Sequence, residues 1–137
     1  MIRIFLDAGV LIAAIRGSPV PTERALGVIN DPERVFIASD FVRLEVLPKA
    51  VHCRQQYEVA FYEAYFASVM TMVEVSPGLV RQAYAEAQQA GLAGMDALHI
   101  AAAKAGAAEE FITTERPTTA LFRVIGIPVT TLRQHTT

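Results

Sequence analysis

Short apolar runs alternate along the chain with stretches of helical period, a pattern that predicts strands interleaved with helices. Ile2 to Leu6 is apolar and partly β-branched, the kind of run expected of a parallel strand buried on both faces. It ends at Asp7. Ala8 to Ile15 reads as a short apolar helix halted by Gly17-Ser18-Pro19, and Thr22 is placed to cap a second helix reaching about Asn30. After an Asp31-Pro32 turn, Val35 to Ala38 is a second buried strand. Ser39 or Asp40 then opens a helix whose Leu44, Leu47 and Val51 recur at i, i+3 and i+7, with Pro48 expected to kink it.

Arg54 to about Met70 reads as a long helix with an apolar stripe of Tyr57, Phe61, Ala64 and Tyr65, leaving Glu58 and Glu63 off the stripe. Met72 to Val75 is a third strand. Ser76-Pro77 is a cap followed by a proline suited to the first helical position, and Gly91 suits a left-handed stop for that helix. Met95 to Ala105 is an Ala-rich helix, Phe111 to Thr114 a fourth strand, and Pro128 to Thr130 a fifth at an edge, after a short helical piece following Pro117. Strands separated by helices imply an α/β fold with a mainly parallel sheet of four or five strands, because parallel neighbours need crossover connections.

The length, 137 residues, suits one domain, 1–137. With 53% apolar and 19% charged residues there is ample core and no signature of disorder. A formal net charge of −2 gives no global attraction for polyanions, so any nucleic-acid binding must come from a local basic patch or a bound metal. The single Cys53 and the lack of zinc-like Cys/His spacing favour a reducing, cytoplasmic setting. Arg3 before an apolar run superficially resembles a signal peptide, but Asp7 interrupts that run. Glu58 and Glu63 break the most apolar central segment, so no membrane span is expected.

Asp7 follows the first strand and Glu115 the fourth, so parallel strands bring both to one edge of the sheet, where ligands of such sheets bind. Asp96 starts the Ala-rich helix and Glu45 stands a turn before Pro48; both can reach that edge. Two carboxylates about 4 Å apart repel by roughly 4 kcal/mol at an effective dielectric of 20. A cluster of them must therefore protonate, separate or bind a cation, and all-oxygen ligation favours Mg²⁺ or Mn²⁺ over zinc. Such a site suits phosphodiester hydrolysis. Each acid also has a local reading: Asp7 and Asp96 as helix caps, Glu45 paired with Lys49, and Glu115 paired with Arg116.

Taken together, Ile4-Phe5-Leu6-Asp7-Ala8-Gly9-Val10-Leu11-Ile12, Arg43-Leu44-Glu45-Val46, Asp96-Ala97-Leu98-His99-Ile100-Ala101-Ala102-Ala103 and Phe111-Ile112-Thr113-Thr114-Glu115 resemble the PIN domain, particularly the VapC-type toxins of toxin–antitoxin pairs. The resemblance spans essentially the whole chain and implies a three-layer α/β/α fold. It also implies an endoribonuclease using Mg²⁺ or Mn²⁺, an RNA substrate, a cognate antitoxin protein and a homodimer. By that resemblance Asp7, Glu45 and Asp96 match the metal-holding acids, and Glu115 stands in the place of the fourth. Two positions depart from the pattern. Glu115 replaces the usual Asp and is longer by about 1.5 Å of bond. Gly9 stands where Ser, Thr or Asn is usual, which removes a side-chain hydrogen bond of the kind that supports metal ligands.

These departures leave a second reading, a catalytically weakened PIN-fold module that binds RNA or protein. A phosphatase-like domain would want a second Asp where Gly9 stands, and a receiver-like domain would want paired acids and a late Lys, neither of which is evident. Arg43, Lys49, Arg54 and Arg116 lie near the acidic segments in sequence and are candidates for contacts to RNA phosphates, with a solvated rim the alternative for each. His99, a turn after Asp96, reads as a packing or hydrogen-bonding residue.

Overall fold

β1 (Ile2–Leu6) lies at the centre of the sheet, and its sequence accounts for that position: Ile4, Phe5 and Leu6 are buried with helices on either side. The computed structural model describes residues 1–133, and the last four positions of the expected single domain lie outside them. β2 (Arg34–Ser39), β3 (Thr71–Val73), β4 (Glu110–Thr113) and β5 (Val129–Thr131) complete a five-stranded sheet in the order β3-β2-β1-β4-β5, with every neighbouring pair parallel.

Between β1 and β2 run α1 (Ala8–Arg16) and α2 (Pro19–Ile29); between β2 and β3, α3 (Asp40–His52) and α4 (Gln56–Ser68). α5 (Pro77–Ala90) and α6 (Gly94–Ala105) connect β3 to β4, and a short 3-10 turn, Ala120–Arg123, precedes β5. The first two connections step outward from β1 towards β3, whereas the third steps back across β1 to β4. With right-handed crossovers this puts α1 to α4 on one face and α5 and α6 on the other, the three-layer arrangement expected from the sequence. Strand order reverses between β1 and β4, so the crevice at their carboxyl ends is the switch point where such sheets bind ligands.

The Ala-rich α6 packs closely because its inward side chains are small: Ala97, Ile100, Ala101, Ala102 and Ala103 are all buried. On β1 and β4, Phe5 and Phe111 stack with centroids 5.5 Å apart. Gly91 ends α5 at φ 72, the left-handed stop its sequence suggested.

Several local expectations are revised. α3 turns Val42, Val46 and Ala50 inward and leaves Leu44 and Val51 exposed, so the buried row is i, i+4, i+8. Helical period allows either row, and the observed one carries Glu45 round towards α6. α4 starts at Gln56 because Arg54 adopts φ 54, which no right-handed helix accommodates. Its inward face is Glu58, Tyr62, Tyr65 and Phe66, while Tyr57 is 90% exposed. An acid is tolerated inside because Tyr62 donates to Glu58 at 2.9 Å and Arg16 lies 3.7 Å from it. Thr22 caps nothing: α2 begins at Pro19, and the Thr22 hydroxyl lies 2.8 Å from the Ala13 carbonyl and 3.0 Å from that of Gly17, tying α1 to α2.

Candidate active site

Asp7 follows β1 directly and is the N-cap of α1, so one backbone feature fixes it twice. Its Oδ1 accepts from the Ala8 N–H at 2.8 Å and its Oδ2 accepts from the Thr113 hydroxyl at 2.9 Å. Capping is therefore real, but it occupies one oxygen and leaves the carboxylate at the switch point, 8% exposed. Thr113, the last residue of β4, is fully buried, and its hydroxyl oxygen also accepts from the Glu115 N–H at 3.1 Å. One hydroxyl thus links the first acid to the backbone of the fourth. Reading the sequence alone gave Thr113 no role, since that link exists only because β4 pairs with β1.

Asp96 sits in the first turn of α6 and is half-buried; the capping position belongs to Ala93, so the cap reading of Asp96 does not describe this helix start. One turn later His99 is sealed inside, 1% exposed, with its ring 6.1 Å from Phe5. His99 Nε2 donates to Glu45 Oε1 on α3 and stands 4.0 Å from Asp7 Oδ1. A carboxylate only accepts, so Nε2 carries the shared proton, while Nδ1 is buried without a partner among the described residues. Glu45 is held by an imidazole from the opposite side of the sheet and makes no ion pair with Lys49 within the described residues.

Electrostatics tie the four acids together. Burial pushes the Asp96 carboxyl above its ordinary range; the Asp7 charge pushes it further and those of Glu115 and Glu45 add to this, while His99 opposes. Burial likewise raises Asp7, opposed by His99, by the Thr113 and Ala8 hydrogen bonds, and reinforced by Glu45. Asp96 thus feels the charges of the other three acids, and Asp7 that of Glu45.

The basic candidates are more dispersed. The Arg43 guanidinium lies 5.2 Å from the centroid of the Phe66 ring, on a different side of α3 from Glu45. Lys49 is exposed and borders a small cavity with Glu45 and Arg16; Arg116 is exposed in the loop after β4.

A family model for the PIN domain matches residues 4–116. The chain belongs to the PIN-domain family. No curated protein matches it. Among solved PIN-like structures, it is similar to VapBC2 from Rickettsia felis bound to a DNA fragment from their promoter (TM-score 0.70, 14% identity, covering 95% of this chain and 98% of that one). It is also similar to DNA-bound VapBC from Salmonella typhimurium (0.67, 18%, 96% and 98%). A third is Mycobacterium tuberculosis VapC20, described as a toxin cleaving the sarcin-ricin loop (0.65, 16%, 89% and 96%). At these identities the likeness is one of fold.

The donor set of this PIN domain fits a hard divalent cation in its chemistry: four carboxylates and no thiolate, with burial and mutual repulsion raising Asp7 and Asp96. Its side chains do not form a closed cage. Among the described residues no group of three or more His, Cys, Asp or Glu side chains stands ready to grip an ion, and Glu45 rests on His99. Nor is any described helix long and apolar enough to cross a membrane.

Proposed function

We propose that this PIN-domain protein is a divalent-metal-dependent endoribonuclease, the toxin of a toxin–antitoxin pair. The observation that carries the reading is the placement of Asp7 at the switch point, bonded through the Thr113 hydroxyl to the Glu115 backbone, with His99 of the Asp96 helix reaching Glu45 and standing 4.0 Å from Asp7. Such an arrangement is unfavourable alone and favourable with positive charge among the oxygens. The structural likeness to VapC toxins supports an RNA target, a cognate antitoxin partner and a cytoplasmic setting. Exposed Val80, Tyr84 and Met95 on the adjacent α5 and α6 support a homodimer.

Asp7 and Asp96 would be the principal holders of one or two Mg²⁺ or Mn²⁺ ions, which would supply Lewis acidity and an activated water, and Glu45 and Glu115 would hold a second ion or orient the water. Thr113 fixes the rotamer of Asp7 and the approach of Glu115; His99 fixes Glu45. Arg43, Lys49 and Arg116 are offered as contacts to the RNA backbone. Hydrolysis adds the water across a phosphorus–oxygen bond and releases two shorter strands.

The test is Asp7→Asn, which keeps the Ala8 cap. It is expected to abolish manganese-dependent RNA cleavage with the fold retained; undiminished cleavage refutes the assignment. A second reading, a weakly catalytic module that binds RNA or protein, is favoured by Glu45 resting on His99 and by the open donor arrangement. A gel assay with and without manganese separates the two, since a binding module retards RNA without cutting it.

A further inference from the structure

A cavity of about 710 Å³ opens beside the acidic edge, between α1, α2 and the segments that follow β4 and β5. Thr114 and Glu115 form the wall it shares with the acids. Three arginines, Arg16, Arg24 and Arg133, line it, against the single acid Glu115 among the described lining residues. Ile12, Val20 and Leu132 give it an apolar surface, and both Ile12 and Val20 are exposed.

The walls are held in place by bonds unrelated to any ligand. Thr22 ties α2 to the Ala13 carbonyl of α1 at 2.8 Å, Arg24 Nη1 donates to the Leu132 carbonyl at 3.0 Å, and the Thr131 hydroxyl donates to the Glu115 carbonyl at 2.6 Å. A preformed concavity of this size, part apolar with a few convergent polar groups, has the properties of a ligand site. In a chain of net charge −2 a concentration of guanidinium is a local exception, and it selects an anionic occupant. Planar guanidiniums grip phosphate through paired donors and stack on bases, while the aliphatic surface accepts a base face.

We infer that this cavity is a nucleotide subsite: it takes one unstacked nucleotide of single-stranded RNA flanking the cleaved bond, with phosphate on Arg16 and Arg24 and the base against Ile12, Val20 and Leu132. The inference rests on the ribonuclease reading above. It excludes duplex RNA, whose bases are stacked and paired and do not reach such a recess. Arg24 is anchored by its Nη1 bond to the Leu132 carbonyl, which leaves the other donors of its five-donor fork unspent by that bond, and Arg16 Nε lies 3.7 Å from Glu58, an ion-pair distance.

The experiment is equilibrium binding of a short fluorescein-labelled single-stranded RNA to the full chain in EDTA, over a series of salt concentrations. Variants are Arg16→Gln, Arg24→Gln and the exposed Val20→Glu, which breaks no hydrogen bond; Arg81→Gln on α5 is the control for loss of charge elsewhere. Each arginine variant is expected to weaken binding about tenfold and to flatten the salt dependence by roughly 0.7 in logarithmic slope, the release of one counterion on a single strand. Val20→Glu is expected to weaken binding as well, and Arg81→Gln to leave both quantities unchanged. In cleavage assays the same three changes are expected in KM and not in kcat. If the wild type binds and cuts RNA but all three variants match it, the subsite is overturned and the nuclease reading stands. If the wild type neither binds nor cuts, both fall. A polyglutamate peptide that binds the wild type and is lost in the same variants, with RNA affinity unaltered, reassigns the cavity to protein docking and overturns the proposal.

Discussion

Thr113 donates its hydroxyl proton to Asp7 Oδ2 across 2.9 Å, at the seam where β4 lies beside β1. Because the same oxygen accepts from the Glu115 N–H, removing it strands a buried oxygen of Asp7 and takes the partner from a part-buried N–H. Thr113→Val keeps the shape and loses both bonds. It is expected to reduce stability by roughly 1–3 kcal/mol, the penalty for an unsatisfied buried partner, read as a lower denaturant midpoint at unchanged slope. Manganese-dependent cleavage should fall with it, and Thr113→Ser should recover most of both. A valine variant with wild-type stability and activity would show that the link is incidental.

The raised carboxyls of Asp7 and Asp96 set the pH behaviour of the metal-free protein. A carboxyl whose folded value lies above its unfolded value contributes stability that is complete below the ordinary aspartate range, near pH 4, and is lost as pH rises through the folded value. From these two groups the metal-free fold loses stability as pH rises from about 4 through their raised folded values. Asp96→Asn removes one of the charges, so its Tm is expected to exceed that of the wild type at pH 7 and to approach it at pH 4. Saturating manganese reverses the order by stabilising the wild type more; at about 100 times the dissociation constant that gain is roughly 2.7 kcal/mol. Thermal melts at two pH values, with and without manganese, check all of this. An Asp96→Asn protein that is less stable at neutral pH without metal contradicts it.

His99 separates support of the site from support of the fold. Leucine in its place removes the donor to Glu45 and the unpartnered Nδ1 together, and Glu45 is exposed enough to be solvated instead. His99→Leu is therefore expected to change stability little, since replacing a buried polar group by an apolar one of similar size is close to neutral. Its manganese affinity, read by calorimetric titration, is expected to fall on the order of 10–100-fold, as when an orienting partner of a ligand is lost. Equal affinity for the two proteins would mean that Glu45 needs no orientation from the imidazole.

The strands and the edge that gathers the acids were legible in the sequence because buried parallel strands are continuous apolar runs, and Asp7 and Glu115 end two of them. Helix rotation was not. On α3 the rows through Leu44 and through Val46 both satisfy the helical period, and only the packing of the folded chain, which buries Val42, Val46 and Ala50, decides between them. Glu58 was expected to face outward because its partners Tyr62 and Arg16 lie on two different helices, and Arg16 meets it only in the folded chain. Thr113 escaped notice for a related reason: in an apolar strand a threonine reads as a β-former, and its chemistry arises from pairing with a strand far away in sequence. His99 reads in the sequence as a packing or hydrogen-bonding residue, and which acid it meets depends on the rotation of α3.

Gly9 and Thr114 are matched. A Cβ built on Gly9 would collide with the Thr114 hydroxyl oxygen, so the hydroxyl just after β4 occupies the space that a side chain at position 9 would need. Alanine for glycine within a helix normally stabilises by up to about 1 kcal/mol, and here that gain competes with the displacement of Thr114 from its rotamer. Gly9→Ala alone is therefore expected to be neutral or destabilising, whereas in a Thr114→Ala background the same change is expected to stabilise. The double-mutant cycle should return a coupling of at least about 0.5 kcal/mol, measured by denaturant unfolding of the four proteins. Coupling near zero would mean that the hydroxyl moves aside freely. Gly9 would then be required neither by Thr114 nor by the wall between the acids and the adjoining cavity.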